Sequence, residues 1–324
     1  MKYLLNPSTD PYYNMALDEY CLEHIRSDAP YFFLWRNAPS VIIGLNQNAY
    51  GEVNLPFLEE NGIRLVRRMT GGGAVYHDLQ NLNYTLIGAH PSPQPIVEAL
   101  RTLGVAAELT GRNDIFVDGK KVSGYARRVS HGQEIIHGTL MYDVDLDTLI
   151  RALDTPTSKM NAKGIASVRS RVGNLKGLLP DFPSLDALQA RLQEMLAGGD
   201  GRQITLSEEQ EAQVQAAARQ KFASWDFIYG HSREAGFVFR EKLPCGTVEA
   251  RIQVDKGRLT DVAFTGDYLF DAPSEELAEQ LRGVRYTTED LAARLREAGC
   301  ERYFHDTDAE RMARLLTGQS PTSA

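Results

Sequence analysis

Cysteine is scarce in this 324-residue chain. Cys21, Cys245 and Cys300 are odd in number, far apart and without a C-x-x-C pair. This argues against a disulfide framework or a thiolate zinc site, and for a reduced, cytoplasmic protein. Long apolar runs are lacking as well. A membrane helix needs ~20 such residues, and the longest candidate, 31–45, is broken by Arg36, Asn37 and Pro39. The apolar stretch at Leu4 and Leu5 is too short for a signal peptide. Basic charge is in deficit: 35 Lys and Arg stand against 43 Asp and Glu, a net charge of −8. Polyanion-binding chains are normally basic, so neither nucleic acid nor a membrane is an expected partner. No H-E-x-x-H and no G-x-x-x-x-G-K-[ST] occurs, which removes the zincin helix and the P-loop. What remains is an ordinary globular composition, 43% hydrophobic and 24% charged, in a length suited to two domains.

Charge is unevenly placed. Residues 112–176 hold 11 Lys and Arg against 7 Asp and Glu, which suggests a local anion site within an acidic chain. Asp10-Pro11 reads as an N-cap followed by proline at the first helical position, with Leu17, Cys21, Leu22 and Ile25 at helical spacing behind it. Strands are expected at 31–36, 41–45, 63–68, 74–77, 82–87 and 134–141, with a turn over 37–40 joining the first two. Helices are expected at 56–60, 96–103, 146–153, 185–196 and 207–222. Composition shifts near 230–236, and three strands then helices follow, with a turn over 255–258. The expected domains are therefore 1–235 and 236–324.

Four segments carry chemistry. The first is Arg67-Arg68-Met69-Thr70-Gly71-Gly72-Gly73-Ala74-Val75-Tyr76-His77-Asp78. Three glycines let backbone N–H groups approach an anion closely, and the arginines add cationic donors. A flexible turn with solvated arginines explains the triplet equally well. The second is the hairpin about Asp118-Gly119, a preferred type I′ turn. Its register pairs Val117 with Lys120, Phe116 with Lys121, Ile115 with Val122 and Asp114 with Ser123. Ile115, Val117 and Val122 then share one face, and Asp114, Phe116, Lys121 and Ser123 the other. Lys121 is on this reading a surface residue or a site cation. The third is a strand entered by His137, and the fourth the basic run 163–172.

Arg68 to Asp78, Asn81-Leu82-Asn83, Gly111 to Asp114, Lys121 to Gly124, His137 to Leu140 and Lys163-Gly164-Ile165 come in this order and spacing. Together with Trp35-Arg36-Asn37 and 41–44, this set resembles the lipoate–protein ligase A family, and the tail from Gly236 resembles that family's accessory domain. The resemblance implies an α+β fold: a catalytic domain of the biotin/lipoate ligase type, with a mixed, mainly antiparallel sheet and flanking helices, plus a small α+β accessory domain. It implies ATP and Mg2+, activation of lipoate to lipoyl-AMP, and transfer to a lysine of lipoyl domains, those of 2-oxoacid dehydrogenase complexes and the glycine cleavage H protein, by a monomer. By motif match, Arg68 corresponds to a nucleotide-binding arginine and Lys121 to the lysine that touches both lipoate and nucleotide. Gly73, Ala74, Val75 and Tyr76 correspond to the loop that holds nucleotide and acyl chain. Gly71 and Gly72 of the same loop are further binding candidates, and Asn83, Asp114 and His137 further candidate site residues, with Asp114 also the metal candidate. Tyr125 stands where relatives often have a small or polar residue. Two alternatives stay open: an octanoyltransferase of the same fold, using Cys245 of Pro244-Cys245-Gly246, and a non-catalytic sensor of lipoyl-AMP or a nucleotide.

Overall fold

A computed structural model describes residues 1–110, 113–153, 171–199, 201–230, 232, 235–266 and 268–319. Of the motif residues, Gly111, Arg112, Lys163, Gly164 and Ile165 lie outside them. The first long helix, α1 (Pro11–His24), starts as its sequence dictates: Asp10 accepts a hydrogen bond from the Tyr12 N–H, and Pro11 occupies the first turn. Among the described residues no helix is long and apolar enough to cross a membrane.

Among the described residues, fourteen strands form three sheets. They are β1 (Lys2–Leu4), β2 (Tyr31–Trp35), β3 (Ser40–Ile43), β4 (Arg64–Arg67), β5 (Val75–His77), β6 (Asn81–Gly88), β7 (Ala107–Thr110), β8 (Asp114–Val117), β9 (Lys120–Ser130), β10 (Gln133–Met141), β11 (Gln203–Ile204), β12 (Ala235–Leu243), β13 (Gly246–Asp255) and β14 (Arg258–Gly266). The largest sheet has the order β11-β1-β2-β6-β10-β9-β8-β7 and is antiparallel except where β1 pairs with its two neighbours. A small sheet, β4-β3-β5, pairs β3 parallel to β4 and antiparallel to β5. The turn over 37–40 joins β2 to β3 as expected and passes the chain from one sheet to another. This is the α+β fold with a mainly antiparallel sheet.

The chain packs as two compact units, Met1–Gln47 with Gly62–Ser224, and Asn48–Asn61 with Trp225–Ala324. The second unit is the antiparallel sheet β12-β13-β14 covered by helices, with Val248, Ile252, Leu259, Leu277, Leu295 and Met312 in its core. Its Lys256 and Gly257, both at positive φ, turn β13 into β14 where a turn was expected. The sequence suggested one change near residue 235. Packing places it at 224/225 and adds the excursion 48–61, whose Tyr50 is buried against Tyr229, Phe237 and Tyr286.

Candidate active site

The triple-glycine segment leaves β4 and returns as β5, and both arginines of Arg67-Arg68 are buried beneath it. The Arg68 guanidinium donates to the carbonyls of Ile42, Gly71 and Gly73 and to the Thr70 hydroxyl. Arg67 Nη1 donates to the carbonyls of Gly44, Leu45 and Gln47. Planar, multi-donor guanidinium suits such clasping of backbone oxygens. Burial pulls both arginines down to about 10, so both remain cations at neutral pH. The loop runs close over β3: a Cβ on Gly44 would meet the Gly72 carbonyl oxygen at 2.3 Å. Gly72 itself has φ +97°, and a Cβ there would meet Arg68 Nη2 at 2.8 Å. Glycine is therefore required at both points.

The hairpin forms at Asp118-Gly119, both at positive φ, with Val117 opposite Lys120 and Phe116 opposite Lys121 as expected. Beyond that pair the register shifts. Ile115 faces Ser123 and Asp114 faces Gly124. A bulge inserts one residue into β9, and one extra residue reverses the face of every side chain after it. The expected pairing of Asp114 with Ser123 is thereby corrected. Ser123 turns to the core beside Tyr84, 3.4 Å between hydroxyls, and glycine stands beside Lys121 instead. Lys121 still meets Asp114, with Nζ 2.7 Å from a carboxylate oxygen, while Lys120 is exposed.

Across the large sheet, Trp35, Asn83 and Thr139 are direct partners on β2, β6 and β10. One row over, Thr85 pairs with His137. A buried chain of hydrogen bonds joins the rows. Trp35 Nε1 donates to Thr85 (2.9 Å), the Thr85 hydroxyl to Asp18 (2.7 Å), and His137 Nδ1 meets the other Asp18 oxygen at 2.7 Å. His137 Nε2 lies 2.7 Å from Thr70 Oγ1, which accepts from Arg68 Nε. The glycine loop is thus tied through Arg68, Thr70 and His137 to α1.

These parts enclose one pocket. Met15, Trp35 and Ile42 give it apolar wall; Gly72, Gly73, Ala74 and Val75 line it from the loop; Lys121, Gly124, Tyr125 and Thr139 line it from β9 and β10. Arg68, His77, Asn83, Asn113 and His137 reach it as well. Of the expected site residues, Gly71 and Tyr76 do not line it. Strand alternation sends Val75 and His77 inward and Tyr76 to the other face of β5. Asp114 contributes through Lys121. The sequence reading gave no role to His77, Trp35, Thr139 or Asp18. Asp18 had one signal, a carboxylate among the buried positions of α1. Among the described residues no three His, Cys, Asp or Glu side chains gather as a metal site.

Residues 10–197 match the lipoyl protein ligase A/B catalytic domain, and residues 232–316 the bacterial lipoate protein ligase C-terminus. The chain belongs to the lipoate–protein ligase family. Lipoate-protein ligase LplJ of Bacillus subtilis is 35% identical over 320 residues, 95% of this chain and 97% of the relative. Among solved structures of the family, the ligase of a bi-partite Thermoplasma acidophilum lipoylation system superposes with a TM-score of 0.65 at 30% identity, over 72% of this chain and 97% of its own. A lipoate-protein ligase A bound with ATP superposes at 0.58, also 30% identical, over 69% and 96%.

Proposed function

We propose that this lipoate–protein ligase joins lipoate to ATP in the pocket beneath the glycine loop and passes the lipoyl group to a lysine of a lipoyl domain. One observation carries the reading: a single pocket is apolar at Trp35, Met15 and Ile42, cationic at Lys121, and lined on a third side by glycine backbone. An aliphatic acid needs the first, a carboxylate beside a phosphate the second and third. The family member solved with ATP and the Thermoplasma ligase described with its E2 lipoyl domain support the two substrates.

The chemistry follows from that placement. The lipoate carboxylate attacks the α-phosphorus, the mixed anhydride forms, and pyrophosphate leaves. The acceptor amine then attacks the acyl carbon, loses its proton, and AMP departs. Two anions must meet in the first step, so cations and backbone donors fixed beforehand stabilise it. Lys121 supplies the cation and the loop N–H groups the donors. Arg68 holds the loop's shape from behind, through its carbonyls. ATP enters as its magnesium complex. A magnesium ion bound to ATP would offset phosphate charge, and Asp114, which pairs with Lys121 at 2.7 Å, is the carboxylate that would help hold it. The unit of 225–324 with 48–61 is the accessory domain, acting in acyl transfer. No cysteine lines the pocket, and Cys245 lies in the core of the C-terminal unit, so a thioester route has no nucleophile there.

The test is an incubation with ATP, magnesium, lipoate and a purified lipoyl domain or glycine cleavage H protein. Pyrophosphate release that needs both lipoate and ATP, with the acceptor gaining one lipoyl mass, is the expected result. Acceptor modification from an acylated carrier protein without ATP would defeat it.

A further inference from the structure

Two buried amide networks each end at the pocket. In the first, Asn6 Oδ1 accepts from the Ser8 N–H, so its amide nitrogen faces Asn14 Oδ1 at 2.9 Å. Asn14 Nδ2 faces the Ser8 and Arg36 carbonyls and donates to Asn37 Oδ1 at 2.8 Å. That leaves Asn37 Nδ2 as donor to His77 Nδ1 at 3.0 Å. Each step fixes the next, so the His77 proton is on Nε2. In the second network Asn81 Nδ2 donates to Asn83 Oδ1 at 2.9 Å, which leaves the Asn83 amide nitrogen as the free end. His77 is 3% exposed and Asn83 1%. Among the described pocket-lining side chains, His77 Nε2 and Asn83 Nδ2 are the buried polar atoms without a hydrogen-bond partner. A buried unpaired donor is unfavourable, and such a donor facing a pocket points to an acceptor on the ligand.

Position identifies the acceptor. Asn83 pairs with Trp35, and the His77 ring stands edge-on 6.2 Å from the Trp35 ring. Both donors are therefore at the Trp35 end. Lys121 is at the other end, beside Gly124 on β9. From β9 to β6 is two strand spacings, about 10 Å, about the reach of an extended eight-carbon acid whose carboxylate meets Lys121. The far end of lipoate carries two ring sulfurs, each a weak acceptor, whereas octanoate carries only hydrogen there. We propose that His77 Nε2–H and Asn83 Nδ2–H donate to the dithiolane sulfurs and make this site prefer lipoate over a sulfur-free eight-carbon acid. The proposal rests on the ligase reading above. Burial, with Arg68 and His137 nearby, pushes His77 down to about 3, so its donor is a neutral N–H, matched to a neutral acceptor.

Calorimetric titration of the whole protein with lipoate, octanoate and cyclopentylpentanoate tests this. The last has the ring with both sulfurs replaced by methylene. Lipoate is expected to bind roughly tenfold tighter than either, because the other two leave the donors unpaired. Asn83→Leu should weaken lipoate by several-fold and leave the two sulfur-free acids no weaker, since it removes a donor that they leave unpaired. Equal affinity of wild-type protein for lipoate and its carbocyclic analogue would overturn the proposal, since ring shape alone would then decide. So would equal weakening of all three acids by Asn83→Leu. If that variant does not fold, the wild-type comparison decides by itself. Wild-type protein that binds none of the three, and releases no pyrophosphate with any, would sink the ligase reading and the proposal together. Pyrophosphate release with all three at equal affinity would sink the proposal alone.

Discussion

Lys120 and Lys121 are neighbours that leave β9 on opposite faces, one to solvent and one to the pocket. Replacing either with alanine removes the same charge. Lys121→Ala is expected to lower lipoate-dependent pyrophosphate release by ~100-fold or more, the scale for a fixed charge-stabilising donor. Lys120→Ala should change it by a few-fold at most. Equal losses would defeat the placement of the cation. His77 gives a second expectation. Its ordinary value of 6.5 falls to about 3 through burial, with Arg68 and His137 adding to the effect. The unfolded chain takes up a proton below 6.5 that the folded chain refuses, so stability is full above 6.5 and lost progressively as pH falls toward 3. His77→Gln should flatten the denaturant-midpoint curve between neutral pH and 5 by up to ~1.4 kcal/mol per pH unit. An unchanged slope would mean that His77 gains its proton while folded. The face on which Lys121 leaves its strand was legible because the Asp118-Gly119 turn fixes the first two pairs of its hairpin. Ser123 was not, since nothing in Lys-Val-Ser-Gly announces a bulge. His77 was not either, because its tautomer depends on Asn6, Asn14 and Asn37, which converge only in the fold.

The glycine loop is the element on which the site turns. Its three glycines differ: Gly72 has positive φ and the Arg68 guanidinium against its open side, whereas a Cβ on Gly71 or Gly73 would meet nothing within 4 Å. Gly72→Ala should therefore raise the apparent KM for ATP and cut kcat, while Gly71→Ala stays within a few-fold of wild type. A Gly71→Ala loss as large as that of Gly72→Ala would show that the positive φ of Gly72 does not govern the site. Most strands were legible from their apolar runs, β6 and β10 above all, since both are buried along nearly their whole length. β7 was not, because only Ala107 of its four residues is buried and the rest carry no strand pattern. The partners of β2 and β3 were not legible, because sheet membership is decided by distant strands: β6 for one, β4 and β5 for the other.

At the scale of the molecule, every described residue that lines the pocket belongs to the N-terminal unit. A chain ending after Ser224, with 48–61 replaced by a short Gly/Ser linker, is expected to bind lipoate with an affinity near that of the whole protein. The same chain with 48–61 retained should bind lipoate but aggregate, because Tyr50 and Leu55 belong to the packing of the other unit. Measured affinity and light scattering separate the two expectations, and a folded linker variant that cannot bind lipoate would place the site elsewhere. The shift of composition near 230 was visible in the sequence. The excursion was not: it is an ordinary helical stretch, and only Tyr229, Phe237 and Tyr286 show where Tyr50 goes.

That excursion has a consequence for synthesis. Residues 48–61 leave the ribosome about 160 residues ahead of the segment they pack with. At roughly 5–20 residues per second, Tyr50 waits roughly ten to thirty seconds in water with its partners not yet made. The nascent N-terminal unit can close its own sheet during that interval, but it does so carrying an open apolar loop. The apolar side chains of 48–61 stay without their packing partners until the aromatic residues Tyr229, Phe237 and Tyr286 have been made.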